Sequence, residues 1–369
     1  MLMLHNRFFK KRNMKKKSLS VKKTIPKNFN FKKILRDKKI FEIFRSFSEN
    51  FTDLNIKKRI AIAVSGGPDS MALCFLVNCY KFTKNNNIQP KFYLVDHGLR
   101  EGSSSEAKLV RQHLYQKKIN LKIIKWKGKK PKSNIQSLAR KKRYEILFSE
   151  CKKLNIKNVI TAHHQDDIYE TFFSRLLRGS GTEGLTSFKD MEKKFIFKGY
   201  PITVSRPLLD LNKQDLIYIS NKVFDFFIDD PSNEIEIFQR VRLRKLITGL
   251  KNQGLDFKKL NLTLNNLASS NKAINEIVKR NISENITYHK SKYLIGPNFF
   301  LLPDEVIFRS MSVLFKIINK KEFPPRGKKM IRLINELKNK DDFKATLGGT
   351  IVEKIENSVI VSKEKSKKR

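Results

Sequence analysis

The chain has 369 residues, enough to bury two domain cores. Its 78 Lys and Arg against 35 Asp and Glu leave a formal net charge of +43, which points to a polyanionic partner, nucleic acid before membrane; heavy use of Lys, Asn, Ile and Phe leaves an AT-rich base composition as a competing source of part of that charge. No run approaches the roughly 18 apolar residues of a membrane span, and the three cysteines, Cys74, Cys79 and Cys151, form no C-x-x-C pair, which argues against zinc and sulfur chemistry and fits a reducing compartment.

The first 36 residues contain no Asp or Glu. Their lysines come in clusters without an amphipathic arginine stripe, so 1–45 reads as a basic, flexible extension, with an organelle-targeting peptide as the alternative. From residue 59 apolar strands alternate with helices. Arg59 to Val64 predicts a strand, Asp69 to about Phe82 a helix, Lys91 to Asp96 a strand, Ser104 to Lys117 a helix and Leu121 to Trp126 a strand. A basic helix from about Ser133 to Leu154, a strand over Asn158 to Ala162 and a helix through Leu177 follow. Repeated βα units with β-branched strands imply an α/β fold with a doubly wound parallel sheet. The segment Lys194 to Leu209 alternates like a strand, and beyond Pro231 the alternation stops. Residues 234 to about 285 read as Lys-rich helices, followed by a helix near Lys328 to Lys338 and a closing pair of strands around Thr346 to Val361. The predicted organisation is an α/β domain over 46–228 and a basic, mainly helical region with a small α+β end over 229–369.

Ligands in such sheets sit outside the carboxyl ends of the strands, and three polar clusters fall there. The first is Ser65-Gly66-Gly67-Pro68-Asp69-Ser70, between a buried-type strand and a helix. Gly66 and Gly67 let the backbone approach an anion, the first helical amides have no intrahelical partner, and Pro68 suits a first helical position. The loop lacks the Gly-Lys-Ser/Thr ending of a Walker A loop, so Asp69 suggests magnesium held against a pyrophosphate; a simple N-capping Asp is the competing explanation. The second cluster, Asp96-His97-Gly98-Leu99-Arg100, could frame a base or ribose. The third runs from His163 to Thr171, where Asp166 and Glu170 lie four apart and Asp167 and Glu170 three apart on one helical face, able to hold magnesium or an amine. Arg140 and Arg143 share a helical face suited to phosphates or simply to solvent.

Taken in order, these residues resemble the tRNA(Ile)-lysidine synthetase family, within the PP-loop (N-type) ATP pyrophosphatases. Ser65 to Ser70 is similar to the SGGxDS loop, Asp96 to Arg100 to the D-H-x-L-R segment and Ala139 to Tyr144 to the A-R-x-x-R-Y helix. His163 to Thr171 resembles H-H-x-D-D-x-x-E-T, Leu177 to Leu185 resembles L-R-G-x-G-x-x-G-L, and Arg206 to Leu209 resembles R-P-L-L. Asp230-Pro-Ser-Asn233 with Arg240-Val-Arg-Leu-Arg244 resembles the D-x-S-N and R-N-x-I-R pair, with Val241 where asparagine is usual. Pro325 to Lys328 and Leu347 to Gly349 resemble elements of the family's RNA-binding C-terminal region.

The resemblance implies a two-step ligation on the wobble cytidine of tRNA(Ile) with a CAU anticodon: ATP adenylates the C2 oxygen and releases pyrophosphate, then the amine of free L-lysine displaces AMP. It implies ATP contacts from Ser65 to Ser70, Asp96, His97 and Arg100, with loop amides of Gly66, Gly67 and Ser70 on the pyrophosphate and Asp69 on Mg2+. Asp167 and Glu170 would bind the lysine ammonium groups, with His163 or a nearby carboxylate as proton acceptor and Arg206 facing the adenylate or an RNA phosphate. Arg140, Arg143, Arg240, Arg242 and Arg244 would contact the tRNA. The expected location is cytoplasmic and non-membrane, and a homodimer is compatible with the reading. The alternatives are a PP-loop tRNA thiolase, which needs a cysteine near the rim, and a non-catalytic basic RNA-binding protein, in which the carboxylate cluster would repel phosphate.

Overall fold

The computed structural model describes residues 29–364, apart from residues 55, 57, 85–86, 129–134, 187, 189, 230–238 and 322. The chain divides into two compact units, whose described residues run up to Asp166 and from Met191 to Asp229 in one, and from Asp167 to Asp190 and from Gln239 to Glu364 in the other.

The first unit is built on a six-stranded sheet of β1 (Arg59–Val64), β2 (Gln89–Asp96), β3 (Leu121–Lys125), β4 (Asn158–Ile160), β5 (Glu192–Phe197) and β6 (Tyr200–Ser205), in the order β3-β2-β1-β4-β6-β5. All neighbours pair in parallel except β5, which pairs antiparallel with β6. Strand order runs outward from β1 through β2 to β3, then resumes on the other side of β1 with β4. The switch point therefore lies between β1 and β4, where Ile60 and Ile62 align with Asn158 and Ile160.

Alternation along β1 explains the layering. Ile60, Ile62 and Val64 face a core with α2 (Lys38–Asp53), α3 (Pro68–Thr83), α4 (Ser103–Gln116) and α8 (Lys213–Phe224). Ala61 faces the opposite core, where Tyr93, Val159, Ile202 and Val204 meet Leu147, Phe148 and Cys151 of α5 (Ile135–Lys153). Helices cover both faces, as a buried parallel sheet requires.

Two details differ from the expectations. Helix α2 and the short helix α1 (Phe31–Ile34) occupy part of what reads as a flexible extension, and Phe31, Ile40, Ile43, Phe44, Phe47 and Phe51 are buried in the first core. Asp37 starts α2, its carboxylate accepting from the Ile40 amide at 3.0 Å and from the Tyr218 hydroxyl at 2.8 Å. The strand-like segment from Lys194 is a hairpin, β5 and β6, reversed by Lys198 and Gly199 at φ +48° and +75°, a two-residue turn with both residues left-handed.

The second unit opens with α6 (Gln165–Leu176), whose first two residues belong to the first unit, and α7 (Thr182–Thr186). Helices α9 (Gln239–Asn252) and α10 (Phe257–Asn285) follow, then α11 (Asp304–Asn319) and α12 (Gly327–Asn339). An antiparallel sheet has the order β7-β8-β11-β10-β9, from β7 (Ile286–His289), β8 (Lys292–Ile295), β9 (Phe343–Leu347), β10 (Thr350–Ile355) and β11 (Ser358–Lys363). Its core joins Ile295, Val352, Val359 and Val361 to Ile307, Met311, Leu314 and Phe315 of α11 and to Met330, Leu333 and Leu337 of α12. The predicted closing pair of strands is thus three strands of a five-stranded sheet. Gly348 and Gly349, at φ +63° and +91°, turn β9 into β10, and a Cβ on Gly348 would lie 2.9 Å from Pro325, so the two C-terminal motifs meet.

Candidate active site

The loop between β1 and α3 is organised by one hydroxyl. Ser70 Oγ accepts from the amides of Ser65 and Gly66, each at 3.1 Å, and donates to the Gly67 carbonyl at 3.0 Å. The Gly66 amide, expected to face pyrophosphate, is therefore committed inside the loop. The first bond of α3 runs from the Met71 amide to the Gly67 carbonyl at 3.1 Å, so the amides of Gly67, Asp69 and Ser70 precede the helical ladder. With Pro68 supplying no N–H, these three are the amides left outside the ladder at the positive end of a 16-residue helix. Gly66 lies at φ +91°, and a Cβ there would stand 2.7 Å from Val110 Cγ2, so only glycine fits.

Asp69 is the acid of this loop. Its Oδ1 is buried with no hydrogen-bond partner among the described residues, while Oδ2 lies 3.5 Å from Nε2 of His164. A buried carboxylate oxygen left without a donor is costly to maintain, and a divalent cation fits it. No group of three or more His, Cys, Asp or Glu that could hold a metal exists among the described residues.

Residue 164, not 163, meets the loop. His164 is 4% exposed and forms a parallel bridge with Leu208. His163 turns the other way: its Nδ1 lies 2.8 Å from Thr161 Oγ1, and its Nε2 lies 3.0 Å from the Arg140 guanidinium. Arginine can only donate, so Nε2 accepts and the proton sits on Nδ1, pointing at Thr161. Thr161 Oγ1 passes the chain on to the Ser205 carbonyl at 3.4 Å. Both ring nitrogens of His163 are thus engaged, which weakens its expected part as proton acceptor and gives Arg140 an intramolecular task beside any contact with RNA.

At the end of β2, Asp96 is buried and ties its own turn. Oδ1 accepts from the Gly98 amide at 3.0 Å and from Ser103 at 2.9 Å, and Oδ2 accepts from Ser104 at 2.5 Å. Burial pushes its pKa up, but the Ser104 and Ser103 hydroxyls, the Gly98 amide and the Lys125 charge outweigh that, and the net shift is downward. His97 meets Trp126 edge to face at 6.3 Å. Arg100 makes a two-pronged pair with Glu106 at 2.9 and 2.7 Å. Arg206 follows β6 at the same carboxyl edge, 7% exposed, with its amide on the Met191 carbonyl at 2.9 Å.

In the second unit, Glu170 is 4% exposed, and its Oε1 lies 2.5 Å from Arg244 Nε. A residue expected to bind lysine and one expected to bind tRNA are therefore joined to each other. Asp167 is half-buried on the same helix, and Tyr169 stacks on Phe257 at 4.7 Å. Arg242 is exposed and Val241 is 7% exposed, so the position where the family usually carries asparagine serves the apolar interior here. Arg143 is half-buried on α5. The side chain of Arg240 and the Asp230 to Asn233 motif lie outside the described residues.

The PP-loop domain model matches residues 38–250. The tRNA(Ile)-lysidine synthase of Wolbachia sp. subsp. Brugia malayi (strain TRS) is 32% identical over 335 residues, covering 88% of this chain and 74% of that protein. The chain belongs to the tRNA(Ile)-lysidine synthase family. The synthase of Orientia tsutsugamushi (strain Boryong) is 31% identical over 338 residues, covering 88% and 72%. Among solved structures, the U34-tRNA thiolase NcsA from Methanococcus maripaludis superposes with a TM-score of 0.51 at 15% identity, covering 64% of this chain and 79% of that one, a likeness of fold. Family membership rationalises the start of the domain at residue 38, with α2 as its first long helix.

Sequence reasoning missed His164 as the neighbour of Asp69. Adjacent residues at a strand end project to opposite faces, so a His-His doublet signals that one of the two meets the loop without saying which.

Proposed function

We propose that the protein ligates free L-lysine to C2 of the wobble cytidine of tRNA(Ile) with a CAU anticodon, through an adenylated cytidine. The observation that carries this is the Ser65–Ser70 loop, a pyrophosphate cradle at the sheet's switch point, in a chain of the tRNA(Ile)-lysidine synthase family. The Gly67, Asp69 and Ser70 amides would hold the β- and γ-phosphates while the cytidine C2 oxygen attacks the α-phosphorus. The bond that breaks joins the α-phosphorus to the bridging oxygen, and pyrophosphate leaves. Asp69 would hold Mg2+, which when bound offsets charge on the phosphates. His164 Nε2 lies 3.5 Å from that carboxylate and would help to orient it. The lysine amine, its proton passed to His163 or a nearby carboxylate, then attacks C2; the C2–N bond forms as the C2–O bond breaks, and AMP departs with the C2 oxygen. Asp167 and Glu170 would recognise the ammonium groups, and exposed basic residues such as Arg242 would meet tRNA phosphates.

A thiolase reading finds no support in the thiols. Cys74, Cys79 and Cys151 are all buried. Burial pushes the Cys74 and Cys79 thiols far above their ordinary value and Cys151 up to about 12, so none supplies a thiolate at neutral pH. No helix among the described residues is long and apolar enough to cross a membrane, and the reading places the reaction in the cytoplasm, where ATP, lysine and tRNA coexist.

The decisive experiment incubates the full chain with tRNA(Ile), ATP and labelled lysine. Label should become covalently attached to the tRNA, with one AMP and one pyrophosphate formed per lysine. Labelled sulfur entering the tRNA in place of lysine would overturn the reading.

A further inference from the structure

An anion cradle needs its amides forward and its carbonyl oxygens out of the way, because a carbonyl facing phosphate repels it. Glycine makes this hard to guarantee, since Gly66 and Gly67 have the freedom to turn a peptide over. In this loop three successive carbonyls each have a donor. The Gly67 carbonyl takes the Ser70 hydroxyl at 3.0 Å, from within the loop. The other two donors come from far along the chain. The Gly66 carbonyl takes the Ile228 amide at 2.9 Å, and the Pro68 carbonyl takes the Ser220 hydroxyl at 2.7 Å.

Which amides these bonds control follows from peptide geometry. In a trans peptide the C=O and the next residue's N–H point in opposite directions, and the chain has no cis peptide bond among the described residues. A donor on the Gly66 oxygen therefore aims the Gly67 amide, and a donor on the Pro68 oxygen aims the Asp69 amide. Those are two of the three amides that precede the ladder of α3. We propose that Ser220 and Ile228 are positioning residues for the nucleotide phosphates, holding the Gly67 and Asp69 amides toward the anion from behind the loop.

The surroundings of both residues fit this task. A serine inside a helix ordinarily returns its hydroxyl to the carbonyl four residues back, but Ser220, fully buried on α8, sends it across to Pro68. Leu216, Ile219 and Val223 seal α8 into the core that also contains α3, so the hydroxyl has no water to compete with. Ile228 lies just past α8 in the 226–229 segment, which is pinned by Phe226 stacking flat on His113 of α4 at 3.9 Å and 5°. Its side chain closes the same spot, for Ile228 Cγ1 would be 3.2 Å from a Cβ on Gly66. Neither residue lies in a motif that the family resemblance assigns to ATP.

The proposal rests on reading the loop as a pyrophosphate cradle, and direct binding separates the two claims. Full-length protein is titrated with ATP and with inorganic pyrophosphate, each with magnesium, and KM for ATP and for lysine is measured in the tRNA reaction. Ser220→Ala is expected to weaken both ligands about tenfold, the loss of one buried hydrogen bond, with lysine KM within twofold of the parent. Ser220→Thr, which keeps the hydroxyl, should recover most of the affinity. Ile228→Pro, which deletes the amide donor, should repeat the loss, and Ile228→Val should not. ATP and pyrophosphate affinities within twofold of the parent in Ser220→Ala and Ile228→Pro would overturn the proposal. So would equal losses in ATP and lysine KM, which mark general destabilisation. A parent protein that binds neither ATP nor pyrophosphate would overturn the cradle reading, and this proposal with it.

Discussion

Replacing Gly66 by alanine tests the loop geometry through two separable costs. The first is backbone: φ is +91°, and a residue with a Cβ held there loses about 1–3 kcal/mol. The second is packing: the new Cβ would stand 2.7 Å from Val110 Cγ2 and 3.2 Å from Ile228 Cγ1. Val110 is 1% exposed in the main core, so it has little room to retreat, and overpacking of this kind costs about 1–3 kcal/mol. Gly66→Ala should therefore destabilise the protein by about 2–6 kcal/mol, the sum of the two. Val110→Ala alone removes two buried methyl-sized groups and should cost about 2 kcal/mol. In the double variant the closest contact has gone while the φ cost remains, so the pair should be less destabilised than the sum of the singles by about 1–3 kcal/mol. Urea unfolding of the four proteins, monitored by circular dichroism, gives the cycle. A Gly66→Ala variant within 0.5 kcal/mol of the parent would refute the left-handed geometry, on the scale at which a neutral surface change falls. Strict additivity would refute the contact with Val110.

Three further outcomes follow from the site. Asp69→Asn should reduce pyrophosphate release by at least about a hundredfold while leaving tRNA affinity within a few-fold; because Oδ1 is buried without a donor among the described residues, the thermal midpoint should hold or rise, and a sharp fall would make Asp69 a structural cap instead. Glu170→Gln should raise the lysine KM at least about tenfold and leave the ATP KM unchanged, and it should cost about 1–3 kcal/mol of stability by leaving Arg244 beside a neutral amide; a lysine KM within twofold would end the assignment of Glu170 to the amine. The lowered pKa of Asp96 gives an acid limb: its contribution is fully present above the unfolded value near 3.8 and is lost as pH falls through the lower folded value. Asp96→Asn should flatten that limb in urea midpoints taken from pH 6 down to 3, and identical profiles for the two proteins would remove Asp96 from the account.

The parallel sheet was legible because apolar strand segments such as Arg59–Val64 alternate with longer helical segments. The rim was legible because strand ends in such a sheet must share one edge. What escaped was in part readable. Helix α2 carries its apolar face, Ile40, Ile43, Phe44, Phe47 and Phe51, at helical spacing, but it directly follows an acid-free basic stretch and reads as part of that extension. Helix α11 likewise repeats Ile307, Met311, Leu314, Phe315 and Ile318 at helical spacing. The hairpin turn at Lys198 and Gly199 was hidden because lysine carries no turn signal, although it adopts the left-handed conformation there.

The site was less legible than the fold for a different reason: charge in a sequence is a gross quantity, and only the fold shows what cancels. Arg100, Arg140 and Arg244 all read as cations available to a nucleotide or to RNA. The structure sets Arg100 on Glu106, Arg140 on His163 and Arg244 on Glu170, pairs separated by 6, 23 and 74 residues. None of the three spacings belongs to the helical i, i+3 or i, i+4 set that makes a pair readable from sequence. Asp69 differs, because a histidine stands 3.5 Å from one of its oxygens and the other has no donor among the described residues. Folded proteins rarely keep such an oxygen without a use for it. At the end of β1, beside the start of a helix, that oxygen is the one the proposed function would use to hold a cation against phosphate.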